Sequence, residues 1–134
     1  MNSKYEINTK ENREFLKASC EELLNFGHRF PSPNGGSYYL GDDGTWKDRN
    51  RETWITCRMA HVYSLGLMLG HEGSGELADA ALKGLKGELH DEKNGGWYAG
   101  VTPEGGIVPN KQCYAHAFVI LAASSALTAG RPGA

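Results

Sequence analysis

Three side chains in this sequence have types and spacing suited to gripping a polyol: Trp54, Arg58 and Tyr114. Trp54 and Arg58 stand four residues apart, one turn along the same face of a helix. Tyr114 follows Trp54 at an offset of 60 residues. An indole face packs against the C–H face of a sugar ring, and guanidinium and phenol groups donate hydrogen bonds to hydroxyls. Sites of this kind combine apolar walls with a few placed polar groups. Arg58 is the formal charge in an otherwise uncharged run from Trp54 to Leu69. An unpaired charge inside an apolar helix is costly. Either it meets a ligand, or it pairs with a structural carboxylate such as Glu52 or Asp48.

The other polar residues carry weaker signals. Lys111 and Gln112 open the second apolar helix and could reach the same region, or simply be solvated. His61 and His116 lie on apolar helices and read as satisfied core histidines. His28, His71 and His90 fall at helix ends or in loops and read as surface. Glu52 and Glu104 do not occupy equivalent positions, which argues against a carboxylate pair of the glycosidase kind. His, Asp, Glu and Cys do not recur at metal-ligand spacing on one helical face, so no metal is expected. Cys57 and Cys113, both on apolar helices, read as core thiols.

The elements that must position these residues repeat at the same offset. Gly35-Gly36 with Tyr38 recurs as Gly95-Gly96 with Tyr98, Ser64 as Ser124 and Gly70 as Gly130. The units run over about 14–73 and 74–134. A repeat of this size marks stacked units, none of which buries its apolar face alone. Each unit reads as an amphipathic outer helix, a Gly-rich hairpin or loop, and a much more apolar inner helix. The first outer helix is expected from about Thr9 to Phe26. Asn8 and Glu11 would form its capping box, and Gly27 its left-handed stop. Leu16, Cys20, Leu23 and Leu24 would form its apolar stripe. The second is expected from about Glu76 to Leu89, with Asp79 and Lys83 paired on its outer side. The inner helices are expected at Trp54–Leu69 and Gln112–Leu127, capped by Asn50 and Asn110. They are too short and too interrupted to span a membrane, and read as buried. Aromatic residues beside Asp-Gly and Pro-x-Gly turns predict short β-hairpins between the helices. The fold class is all-α: two helical hairpins of an (α/α) toroid, an incomplete ring.

Composition narrows the partners. The chain has 134 residues and a formal net charge of −2, with acids and bases interspersed. Nothing suggests a nucleic-acid or anionic-membrane face. The N-terminus lacks a signal peptide's apolar run, and three cysteines without C-x-x-C spacing fit a reducing cytoplasm.

At these residues the chain resembles the N-acylglucosamine 2-epimerase family. Trp54-Ile55-Thr56-Cys57-Arg58-Met59, followed by His61-Val62-Tyr63-Ser64, is similar to the family's second helix. Asn94-Gly95-Gly96-Trp97-Tyr98-Ala99 and Lys111-Gln112 with Tyr114 and His116 match the next hairpin and the fourth helix. The likeness is greatest to the aldose–ketose isomerase branch, with its mannose and sulfoquinovose isomerases. It implies an (α/α)6 barrel, a monosaccharide substrate and chemistry without a metal or cofactor. A histidine would remove the proton α to the carbonyl, and an enediol would be reprotonated at C1 or C2. Residues matching Arg58 and Tyr114 would contact the sugar, and the one matching Trp54 would line the pocket. The family's acid–base histidines lie on later helices, and His61 and His116 do not match them. The expectation is therefore an N-terminal part of a sugar isomerase or epimerase, inactive alone. The alternative is a catalytically silent sugar-binding or interaction module, or half of a split enzyme. Self-association of three chains would be a second way to close the ring.

Overall fold

A computed structural model describes residues 3–134. After a 3-10 turn at Ser3–Tyr5 come α1 (Lys10–Gly27), β1 (Tyr39–Leu40), β2 (Trp46–Lys47), β3 (Arg51–Glu52) and α2 (Thr53–Met68). The second half holds α3 (Ser74–Lys86), β4 (Gly100–Val101), β5 (Ile107–Val108) and α4 (Cys113–Thr128). Outer and inner helices alternate as the repeat requires, and α2 packs against both α3 and α4.

The repeat extends to single hydrogen bonds. The Tyr38 amide donates to Phe30 O at 2.9 Å, and the Tyr98 amide to Leu89 O at the same distance. The Ser37 amide donates to Thr56 Oγ1 at 3.0 Å, and sixty residues on the Trp97 amide donates to His116 Nε2 at 3.1 Å. Both glycine pairs hold positive φ, 91° and 82° at Gly35 and Gly36 and 72° and 78° at Gly95 and Gly96. That backbone favours glycine, which has no Cβ to clash. One bend therefore recurs before each inner helix, and the inner-helix side chain at its base is exchanged from Thr to His.

The helix ends depart from expectation. Asn8 sits at φ 70°, and Thr9 is the cap of α1, its Oγ1 accepting from the Asn12 amide at 3.1 Å. Gly27 is the last residue of α1, followed by His28 in a right-handed conformation. Its missing side chain instead makes room for the Tyr63 hydroxyl, which a Cβ would strike. The caps of α2 and α4 are Glu52 and Gln112, both extended, in place of Asn50 and Asn110. For α2 the cause is strand pairing. Arg51 and Glu52 pair with Val101 and Gly100, and the Thr53 amide donates to Ala99 O at 3.0 Å. The sheet holds the chain extended up to the helix and satisfies its first free amide.

The second outer helix starts two residues early and stops at Lys86. Leu89, expected as its last turn, is buried from the following bend, where its amide donates to Gly84 O. Asp79 and Lys83 do not pair; Asp79 takes Arg131 and Lys83 donates to Pro33 O at 3.0 Å. His71 is not a surface residue but buried, with Nδ1 2.7 Å from Ser74 Oγ. Cys57 is a core thiol, and burial pushes its pKa up to about 12. Cys113 is not a core thiol but exposed, because it opens α4 in a run, 111–114, that nothing covers.

Two faces of the arc are apolar and open. On α1, Leu24 is buried but Leu16 and Leu23 are exposed, and they line a groove with Val62, Leu65 and Leu69 of α2 and its end. On α4 only the stripe of Ala115, Val119, Ala122 and Ala126 is buried, leaving Ile120 and Leu127 exposed. The inner helices are thus covered on the sides that meet within the two units and bare beyond them. Among the described residues, no helix is long and apolar enough to cross a membrane.

Candidate functional site

Both hairpins lie beside the N-termini of the inner helices. The first, β1–β2, pairs Tyr39 with Lys47 and Leu40 with Trp46. The second, β4–β5, adds β3 as a third strand. The sheet thereby ties the start of α2 to the segment that leads into α4, and it sets where Trp54 and Tyr114 stand relative to each other. The sequence predicted the hairpins but not this third strand, since two residues of β3 have no readable alternation.

Trp54, Arg58 and Tyr114 come together. The Trp54 and Tyr114 rings lie 5.9 Å apart at an interplanar angle of 60°. The Arg58 guanidinium sits 4.7 Å from the centre of the Trp54 ring and 5.0 Å from that of Phe118. It donates from Nη2 to the Tyr114 hydroxyl at 3.3 Å. Among the described residues, it forms no ion pair. Asp48 does not reach it, and Glu52 accepts a hydrogen bond from the Tyr39 hydroxyl instead. A guanidinium between aromatic faces keeps most of its donors available. Tyr114 is 53 % exposed, so a ligand has access to both groups.

Phe118 is a fourth member of this cluster, missed by inspection of polar types. It follows Arg58 by sixty residues and Tyr114 by four, so the repeat itself carried the signal. Its ring packs edge-on against Tyr114 at 4.9 Å.

His116 is held at both ring nitrogens and His61 at one. His116 Nδ1 lies 2.8 Å from Gln112 O, while Nε2 accepts the Trp97 amide. Those partners require the neutral ring with its proton on Nδ1. His61 Nδ1 lies 2.6 Å from Ser125 Oγ. Lys111 is engaged as well, with Nζ 2.7 Å from the buried Asp91 carboxylate. The Lys111 hydrogen bond, followed by the Asn94 amide, holds the Asp91 pKa well below the usual carboxylate range. Gln112 caps α4 through its backbone. In the first hairpin, burial and then the Glu52 hydrogen bond push the Tyr39 phenol up to about 12. Among the described residues, no cluster of three or more His, Cys, Asp or Glu could hold a metal ion.

With this geometry in place, comparison with known proteins is direct. The family model for N-acylglucosamine 2-epimerase (GlcNAc 2-epimerase) matches residues 35–134. The chain belongs to the N-acylglucosamine 2-epimerase family. It is 39% identical over 124 residues to a D-mannose isomerase of Thermobifida fusca, covering 91% of this chain and 30% of that protein. It is 44% identical over 82 residues to the D-mannose isomerase of Pseudomonas cannabina pv. alisalensis, covering 61% of this chain and 20% of the relative. A solved D-mannose isomerase structure matches with a TM-score of 0.79 and 25% identity, over 92% of this chain and 32% of that one. Cellobiose 2-epimerase from Bacillus thermoamylovorans B4167 matches with a TM-score of 0.70 and 27% identity, over 85% and 31%. The four helices are two helical hairpins of this family's (α/α)6 barrel, and the chain spans about a third or less of the relatives it matches.

Proposed function

We propose that this protein serves a sugar isomerisation or C2 epimerisation through an enediol, and that Trp54, Arg58 and Tyr114 form part of its sugar-binding wall. One observation carries the reading. Arg58 has no carboxylate partner among the described residues, yet it is held between two aromatic rings and directed at the Tyr114 hydroxyl. Arg58 is exposed, so its remaining donors are open to a ligand while the two rings fix the direction of its guanidinium. Trp54 and Phe118 would cover the C–H face of a monosaccharide, and Arg58 and Tyr114 would donate to its oxygens. Such donors would also stabilise the negative charge of an enediolate.

The acid–base step would be supplied from beyond residues 1–134, because His61 and His116 are both engaged in structural hydrogen bonds. On this reading the 134 residues are the N-terminal part of a barrel and do not turn over sugar alone. Three unpaired thiols fit the cytoplasm as its compartment. The same engaged histidines favour, as a second reading, a silent module that binds sugar without converting it.

Proton NMR in heavy water tests the proposal, with mannose, glucose, fructose and N-acetylmannosamine as substrates. The 134 residues alone should bind without deuterium uptake at C2, and a chain extended by the remaining barrel should exchange. Exchange by the 134 residues alone would overturn the assignment of the acid–base groups. Binding without exchange by the extended chain would favour the silent module.

A further inference from the structure

Between α2 and α4, one turn beyond Arg58, stands His61, a partly exposed ring that a single nitrogen ties to the protein. We infer that His61 Nε2 is a hydrogen-bond acceptor for the sugar held by Trp54, Arg58 and Tyr114, receiving the hydrogen bond of one of its hydroxyls. The inference rests on the sugar-binding reading of those three residues.

One seam carries both groups. Arg58 meets Tyr114 and Phe118 of α4, and His61 meets Ser125 of α4. Three residues advance a helix by about 4.5 Å and nearly a full turn, so His61 stands beneath Arg58 on the side of α2 that faces α4. Trp54, Arg58, His61 and Leu65 are all at least partly exposed, whereas Cys57, Ala60 and Ser64 between them are fully buried.

Hydrogen bonds fix which nitrogen is open. The Ser125 hydroxyl donates to Leu121 O at 2.8 Å, so its oxygen accepts from His61 Nδ1 at 2.6 Å. In the neutral ring the proton then sits on Nδ1, and Nε2 keeps a bare lone pair. Among the described residues, no group donates to Nε2. His116 differs, since both its nitrogens are taken. Packing does not ask for this polar pair. The repeat equivalents of His61 and Ser125 are Leu121 and Leu65, so each stands where the other unit has a leucine.

The chemistry of the cluster says what binds there. A guanidinium only donates, and the Tyr114 oxygen already accepts from Arg58, so its own proton is left to donate. A sugar hydroxyl held by these groups still has a proton to place. An open imidazole nitrogen one turn away supplies the missing acceptor. The bond orients the sugar and is separate from the acid–base step.

NMR of the 134-residue chain labelled with nitrogen-15 tests this, with D-mannose and its monodeoxy analogues as probes. The free chain should show His61 protonated at Nδ1 and bare at Nε2. Mannose should shift the Nε2 signal together with those of Arg58 and Tyr114. His61→Leu should weaken mannose about three- to ten-fold. One analogue should bind the native chain more weakly by a similar factor, yet bind His61→Leu no worse than mannose does, because its partner is already gone. A circular-dichroism melt confirms that the variant folds, and the native-chain signals stand without it.

A proton on Nε2 would overturn the inference, as would equal losses for every analogue in both proteins. If mannose shifts Arg58 and Tyr114 but not His61, the acceptor falls and the wall stands. If mannose shifts His61 while Arg58→Ala leaves its affinity unchanged, the wall reading fails and His61 belongs to a separate site. If none of these signals moves, both readings fall.

Discussion

Arg58 and Tyr114 meet across two neighbouring inner helices, guanidinium Nη2 to phenol oxygen at 3.3 Å, although fifty-six residues separate them. The contact exists because Tyr114 is the repeat equivalent of Trp54, one turn ahead of Arg58. Two copies of one helix start, placed side by side, bring the second copy's first-turn aromatic to the first copy's second-turn cation. Phe118, the equivalent of Arg58 itself, closes the far side of the guanidinium. The cluster thus arises from duplication with two positions changed, Trp54 to Tyr114 and the charge of Arg58 to the ring of Phe118.

Arg58→Ala should leave the fold nearly untouched. What it removes from the native state is a long hydrogen bond and two cation–π contacts at the surface, together about 1 kcal/mol. Sugar binding should fall below detection, and in the extended enzyme kcat/KM should drop by a factor of about 10² to 10³. Arg58→Lys should recover only part, because an ammonium lacks the planar fork. Thermal melts beside mannose titrations decide the matter, and a collapse of the melting temperature would make Arg58 structural.

His116 should behave in the opposite way. Its Nε2 does for the Trp97 amide what the Thr56 hydroxyl does for that of Ser37. His116→Ala and Thr56→Val each leave a loop amide without its partner, at a cost of about 1–3 kcal/mol. Both should lower the denaturant midpoint and leave the mannose affinity of the folded fraction unchanged. A His116 variant that keeps its stability but loses deuterium exchange in the extended enzyme would reverse this assignment.

How far the sequence was legible follows from which interactions are local. The sixty-residue repeat, the outer and inner helices and the meeting of Trp54, Arg58 and Tyr114 were all readable, because periodicity and offset encode them. Helix ends were not. Asn50 looked like a cap, but pairing of Arg51 and Glu52 with a strand nearly fifty residues away moved the start of α2 to Thr53. His71 looked like a loop residue at the surface, yet Asn25 and Ser74 enclose it from two other elements. Leu89 kept the helical pattern of α3 but fills the core from a bend. Each miss is a long-range contact overriding a local signal.

Acid should loosen the second unit first. Asp91 is buried and held by Lys111, by the backbone amides of Lys93 and Asn94 and by the Asn94 side chain. Its folded pKa is depressed, so it binds a proton less readily in the native state than in the unfolded one. The stability this contributes is complete above the ordinary carboxylate value of about 4 and is lost as pH falls below it. Melting temperatures between pH 7 and pH 2 should therefore show a steeper acid decline for the native chain than for Asp91→Asn. Lys111→Met should flatten the decline as well, since the Lys111 bond is the first cause of the shift. Parallel curves for all three proteins would refute the coupling.

Gly27 offers a test of packing through non-additivity. At Gly27 a Cβ would strike the Tyr63 hydroxyl, which donates to Leu24 O at 2.7 Å in the buried layer between α1 and α2. Gly27→Ala must push that hydroxyl off its acceptor, and overpacking of this kind costs about 1–3 kcal/mol. Tyr63→Phe alone gives up the hydrogen bond and strands a buried carbonyl lone pair, about 1 kcal/mol. In the double variant the hydroxyl is already gone, so the added methyl meets only the ring edge. Its destabilisation should be smaller than the sum of the two by about 1 kcal/mol. Urea unfolding of the four proteins gives the coupling directly. Simple additivity would mean that α1 shifts as a body to admit the methyl, and that its packing on α2 is looser than the buried Leu24 and Tyr63 imply.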